Sequence, residues 1–209
     1  MIKNRLVALV VCAWLGMVPL SSGAKGLNYS YAEGGYTGVT SDALDGTANG
    51  ATARISFAAL DFVHLKGEYT HFDSVEVRRG NFFGSNDLDL TVDRFLVGAG
   101  GNFTVLDKHG VIDAVDVLAT ASYYDANNSG DNNNSTRGYQ LEGGVRALFI
   151  KDLELNAMVT RLDVDNFDET AYGVGIVYNF YKKFSVSGNV KHFSQDSTTE
   201  YFVGVRLNF

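Results

Sequence analysis

The chain has 209 residues with 24 Asp and Glu against 17 Lys and Arg, a formal net charge of -7, which argues against nucleic acid as a partner because phosphate binding needs a basic face. Its only Cys (Cys12), only Trp (Trp14) and only Pro (Pro19) fall within the first 20 residues, so the remainder holds together without disulfides and without a residue that would delete a ladder hydrogen bond. The 45% hydrophobic fraction does not exclude a membrane protein, because alternating apolar and polar faces average to an ordinary value.

Met1 to Ala24 reads as a secretory signal peptide: Lys3 and Arg5 open it, Leu6 to Val18 is apolar, and Ser22-Gly23-Ala24 offers a small-residue cleavage site. The apolar run is shorter than the roughly 20 residues a spanning helix needs. Val11 before Cys12 speaks against lipidation, since that position is normally small. Removal of Lys3 and Arg5 leaves 15 basic against 24 acidic residues, a net charge near -9.

From Leu27 onward the pattern has period two, the signature of strands. Leu27, Tyr29 and Tyr31 alternate with Asn28, Ser30 and Ala32 in a first strand that runs to about Gly38, and a polar loop follows to about Gly46. Strand two sets Ala51, Ala53, Ile55 and Phe57 against Thr52, Arg54 and Ser56; strand three sets Val63, Leu65, Gly67 and Tyr69 against His64, Lys66, Glu68 and Thr70. Asp73 to about Asp87 is a charged loop. Strand four, Leu88 to Phe103, breaks phase: Leu88, Leu90 and Val92 share one face, and Phe95, Val97, Ala99 and Phe103 the other. A one-residue bulge near Asp93-Arg94 would reconcile them. Strand five carries Val115, Val117, Ala119, Ala121 and Tyr123 opposite Asp116, Thr120 and Ser122, and the Asn-rich stretch Asn127 to Thr136 is a solvated loop. Strand six places Tyr139, Leu141, Val145 and Phe149 against Glu142 and Arg146; strand seven, Leu153 to about Asp163, places Leu155, Ala157 and Val159 against Glu154 and Thr160. Strand eight alternates Tyr172, Val174, Ile176, Tyr178 and Phe180; strand nine sets Phe184, Val186 and Val190 against Ser185, Ser187 and Lys191. The last strand, Thr199 to Phe209, puts Tyr201, Val203, Val205, Leu207 and Phe209 on one face and Glu200, Phe202, Gly204, Arg206 and Asn208 on the other.

No helical segment is available to cover these apolar faces. Lipid is then the expected cover, and a sheet in lipid closes on itself so that no edge stays unpaired. The expected fold is all-β: a closed, antiparallel, up-and-down transmembrane barrel of ten strands, or eight if two segments pair differently, formed by residues 25–209 and exported to the cell outer membrane. Tight joins near residues 60, 108, 151 and 182 alternate with longer polar loops near 42, 80, 131, 166 and 196, as outer-membrane barrels alternate periplasmic turns and outer loops. Phe57, Phe103, Phe149, Phe180, Phe184 and Phe209 fall beside the tight joins, and Tyr36, Tyr69, Tyr123, Tyr139, Tyr172 and Tyr201 beside the loops, a pattern that predicts two aromatic girdles.

With its leader, its alternating segments and its closing G-V-R-L-N-F, the chain resembles the small bacterial outer-membrane barrels of the OmpA/OmpX-like family. The resemblance implies that the last strand is an assembly signal, with Gly204, Leu207 and Phe209 matching it, read by the barrel-assembly machinery after delivery by periplasmic chaperones. It also implies outer-membrane lipid and lipopolysaccharide as surroundings, and it leaves any extracellular ligand unknown.

The candidate site is the lumen. Arg54, Lys66, Arg146, Lys191 and Arg206 face inward with Glu68, Asp116, Glu142 and Glu154, a mixture that predicts mutual pairing, since unpaired buried charge is costly. The same groups could instead line a small channel for ions or small solutes. His192-Phe193-Ser194, with Glu200 nearby, is similar to the catalytic arrangement of lipid A deacylase barrels, although strand register turns His192 and Ser194 to lipid and Glu200 inward, and Gln195 stands where that family has asparagine. Four scattered histidines (64, 71, 109 and 192) give little support to an omptin-like protease. No cofactor, metal site or enzymatic activity is expected; acidic loop residues could bridge divalent cations to lipopolysaccharide.

Overall fold

The structure, a computed structural model, describes residues 27–41, 47–76, 89–129, 134–165, 167–195 and 197–209. Ten strands follow in order: β1 Tyr31–Thr40, β2 Thr47–Leu60, β3 Val63–Glu76, β4 Asp89–His109, β5 Ile112–Ser129, β6 Asn134–Phe149, β7 Leu153–Val164, β8 Phe167–Tyr181, β9 Phe184–Phe193 and β10 Thr198–Asn208. Each pairs antiparallel with its neighbours in sequence, and β1 pairs with β10 from Tyr31↔Asn208 to Thr40↔Thr199, so the sheet is a closed ten-strand barrel. The eight-strand alternative falls away because every predicted segment finds two partners.

Alternation decides which side each residue faces. Val97, Val117, Leu141, Val159, Val174, Ile176, Val190, Val203 and Val205 all lie on the exposed outer surface. The predicted aromatics share it: Phe103, Phe180, Phe184 and Phe209 stand out near the tight turns, and Tyr36, Tyr69, Tyr123, Tyr139 and Tyr172 near the other end. Exposed Tyr178 and Tyr181 lie at the tight-turn end too, so sorting of Phe from Tyr is incomplete.

Several expectations are corrected. Strand β4 passes Asp93 and Arg94 without a bulge, since Asp93↔His71 and Arg94↔Thr70 continue the register on one side and Asp93↔Asn127 and Arg94↔Ala126 on the other. The irregularity sits in β3 instead, between Phe72 and Val75, so Val92 keeps the inward face of Arg94 and Leu96; Leu88 lies outside the described residues. Leu27 and Tyr29, expected on the apolar outer face of strand one, are buried inside at 1% and 4% exposure. They precede β1 and turn into the barrel, joining Ala58, Ala114 and Leu148 in an apolar cluster. The strands also outrun the expected length, reaching 21 residues in β4 and 18 in β5. The Asn-rich stretch is largely paired, with Asn127↔Ser135 and Asn128↔Asn134 in the β5–β6 ladder. β7 and β8 are likewise paired as far as Val164↔Phe167, leaving only residues 165 and 166 where a longer loop was expected.

Candidate functional site: the charged lumen

All nine residues expected inside face inward, and the structure shows how they meet. A ring of six charges leaves and returns to β10. Glu200 takes two bonds from Arg94 on β4 (2.6 and 2.9 Å), and Arg94 also reaches Glu68 on β3 at 3.2 Å. Glu68 accepts from Arg54 Nε on β2 at 2.9 Å, and Arg54 reaches Glu33 on β1 at 3.4 Å. Glu33 accepts from Arg206 Nε on β10 at 3.0 Å and from the Ser187 hydroxyl on β9 at 2.6 Å.

Two further groups lie nearer the tight-turn end. Lys66 on β3 donates to Glu142 on β6 at 2.9 Å, and Lys191 on β9 approaches the same carboxylate at 3.8 Å. Arg146 on β6 holds Glu154 on β7 through two bonds of 2.9 and 2.8 Å. Asp116 sits beside them at 0% exposure and accepts from the Tyr29 hydroxyl at 2.8 Å.

Aromatic faces explain why four of the six cations are arginine. The guanidinium carbons lie 4.0 Å from the Phe202 ring for Arg54, 5.7 Å from Phe72 for Arg94, 4.4 Å from Tyr29 for Arg146 and 3.9 Å from Tyr31 for Arg206. A planar guanidinium can stack through its face while its edge donates to carboxylates, which an ammonium cannot do. The lumen is therefore not simply polar. Phe202 is 1% exposed, and Leu96 and Val177 are 2% exposed, filling space between the ion pairs.

A chamber of about 170 Å³ remains beside the ring, lined by Tyr31, Lys66, Asn156, Asn189, Lys191 and their neighbours, with room for several waters.

Pattern reading passed over Glu33, Arg94 and the aromatic seats. Arg94 was hidden by the bulge inferred beside it. Glu33 shares parity with Tyr31, which was assigned to the outer face; yet Tyr36, in the outer girdle, has the opposite parity, and that conflict was the available signal. Of the assembly residues, Leu207 and Phe209 face outward, at 40% and 39% exposure. Gly204 lies inside beneath Phe202, where an added Cβ would also meet the Gly34 carbonyl oxygen at 2.8 Å.

The hydrolase-like residues do not converge. His192 Nδ1 lies 3.0 Å from the Thr199 hydroxyl, and the Ser194 hydroxyl donates to the Thr170 carbonyl at 2.9 Å. Glu200 is held on the other side of the sheet by Arg94.

No family model matches the chain, and no curated protein matches it. Among solved structures it is similar to the transport unit of the autotransporter AIDA-I from Escherichia coli, with 11% identity, 99% of this chain and 98% of that chain covered, and a TM-score of 0.51. It is also similar to the KdgM porin, with 14% identity, coverage of 85% and 99%, and a TM-score of 0.41. A third is Ail, the attachment invasion locus protein of Yersinia pestis, with 16% identity, coverage of 87% and 99%, and a TM-score of 0.37.

Proposed function

We propose that this protein is an integral outer-membrane barrel with a structural or surface-interaction role, its lumen closed at rest by the six-charge ring. In this reading residues 1–24 are removed on export and residues 25–209 form the barrel. The exposed apolar outer surface supports it: a sheet with this much aliphatic and aromatic area on its outside needs hydrocarbon around it, and its lack of edges meets the demand that lipid makes of a backbone. The orientation follows from the same reading, with the tight turns periplasmic and the Tyr girdle at the outer boundary. Outward Leu207 and Phe209 are then available to the barrel-assembly machinery, with outer-membrane lipid and lipopolysaccharide as surroundings.

The observation that carries the closed lumen is the continuous path Glu200, Arg94, Glu68, Arg54, Glu33, Arg206, which ties β10, β4, β3, β2 and β1 across the interior. A passing ion would have to break charge-assisted bonds that hold each other in place. Planar-bilayer recording tests this: the wild-type barrel gives no discrete current steps over a range of voltages, and regular steps would overturn it. The second reading, a small channel for ions or small solutes, draws on the polar chamber below the ring, which becomes a conduction path only when the ring opens.

A further inference from the structure

The tight-turn mouth of the barrel is filled by a segment that is not part of any strand. Leu27, 1% exposed, and Tyr29 share one apolar cluster with Ala58 of β2, Ala114 of β5 and Leu148 of β6, walls that are not all neighbours in the sheet, so the segment bridges the opening. Tyr29 follows it inward. Its ring stacks on His64 of β3 with centroids 5.1 Å apart, Arg146 of β6 lies over the ring, and the hydroxyl donates to Asp116 of β5. The Asn28 carbonyl accepts from Arg146 at 3.2 Å, and the Ser30 hydroxyl accepts from the Ala58 N–H at 3.1 Å. Two buried atoms behind this segment, His64 Nδ1 and Asp116 Oδ1, have no hydrogen-bond partner among the described residues. His64 and Tyr29 also line the chamber that reaches Glu33, Arg54 and Glu200 of the ring.

We propose that residues 27–30 are a lid over the periplasmic mouth of the lumen, able to lift away from the strands and open His64, Asp116 and the chamber to bulk solvent as far as the six-charge ring. The proposal rests on the orientation and closed lumen proposed above. What distinguishes the lid from the ring is its attachment. The ring's charges project from strands locked in the ladder on both sides, whereas the lid is held mainly by side-chain contacts of a single short segment. Lifting it breaks one backbone bond, from the Phe209 N–H to the Ser30 carbonyl at 3.1 Å, and leaves the pairing of β1 from Tyr31 onward intact.

Diethyl pyrocarbonate modification of the refolded barrel in lipid vesicles, mapped histidine by histidine by mass spectrometry, tests the lid. In the wild type His64 reacts at least tenfold more slowly than His109, exposed at the tight β4–β5 turn on the same end of the barrel. Leu27→Asp, which puts a charge into the apolar cluster yet keeps the Tyr29 ring, raises the His64 rate at least tenfold with His109 unchanged. Should the variant fail to give the heat-modifiable folded band, Leu27→Ser makes the same comparison with a smaller perturbation. A His64 that reacts as fast as His109 in the wild type overturns the lid, and so does a His64 that stays protected in both folded variants. Bilayer currents judge the ring separately: steps in the wild type refute the closed ring, whereas the histidine rates decide the lid.

Discussion

Glu33 is the residue whose loss should tell most about the seam. Its carboxylate belongs to β1, and its partners belong to β10 (Arg206, 3.0 Å), β9 (Ser187, 2.6 Å) and β2 (Arg54, 3.4 Å). The side chain is 1% exposed, so Glu33→Ala leaves two guanidiniums facing a cavity. Breaking a buried pair from one side costs about 3–5 kcal/mol. Arg54 keeps Glu68 at 2.9 Å and Arg206 keeps its place over Tyr31, which argues for the lower end, about 3 kcal/mol. With a urea slope of roughly 2 kcal/mol per M, the unfolding midpoint should fall by about 1.5 M, read as the fraction of heat-modifiable folded band on a gel. The double variant Glu33→Ala/Arg206→Ala should be less destabilised than the sum of the single variants, by about 1 kcal/mol or more, because it removes the stranded cation with its partner. A Glu33→Ala midpoint within about 0.3 M of wild type would refute the idea that this carboxylate fastens the seam.

Other substitutions read neighbouring features. At Gly35 an added Cβ would fall 2.6 Å from the Gly204 Cα and 2.8 Å from the Phe202 ring, whereas at Gly34 it would meet nothing within 4 Å. Gly35→Ala should therefore lose about 1–3 kcal/mol and Gly34→Ala little, compared by urea midpoint. Phe202→Leu removes the face on which Arg54 rests at 4.0 Å, and about 1–2 kcal/mol should be lost, with a midpoint unchanged from wild type counting against the stacking contribution. Ile150, in the tight β6–β7 turn, has φ of 52°, a region hostile to β-branched side chains. Ile150→Asn should raise the midpoint by an amount equivalent to about 1 kcal/mol, and a fall would show that its outward apolar contacts matter more than the strain.

The barrel was legible because its outer face is simple: Tyr172 to Phe180 and Tyr201 to Phe209 alternate without interruption, and the hydrocarbon proposed to surround it asks only that each outward residue be apolar. The inner face obeys no such rule. An inward position can hold Arg94, Leu96 or Phe202, because an aromatic ring there serves as a seat for a cation. Apolar residues at inward positions thus imitate outward ones, and that imitation produced both the misplaced bulge at Asp93-Arg94 and the misassigned Leu27 and Tyr29. The pairing within the ring was unreadable for a different reason. Arg94 and Glu200 are 106 residues apart on strands that are not neighbours, and only the closed cross-section brings them together.

Arg94–Glu200 and Lys66–Glu142 have a mechanical consequence. A thin-walled tube flattens easily under sideways load, because bending its wall stretches nothing. Each of these pairs spans part of the diameter, joining β4 to β10 and β3 to β6, and works as a cross-brace. For the cross-section to ovalise, a brace must rupture in surroundings with little water to receive its charges, so crowding by neighbouring lipid and protein should leave the outline round.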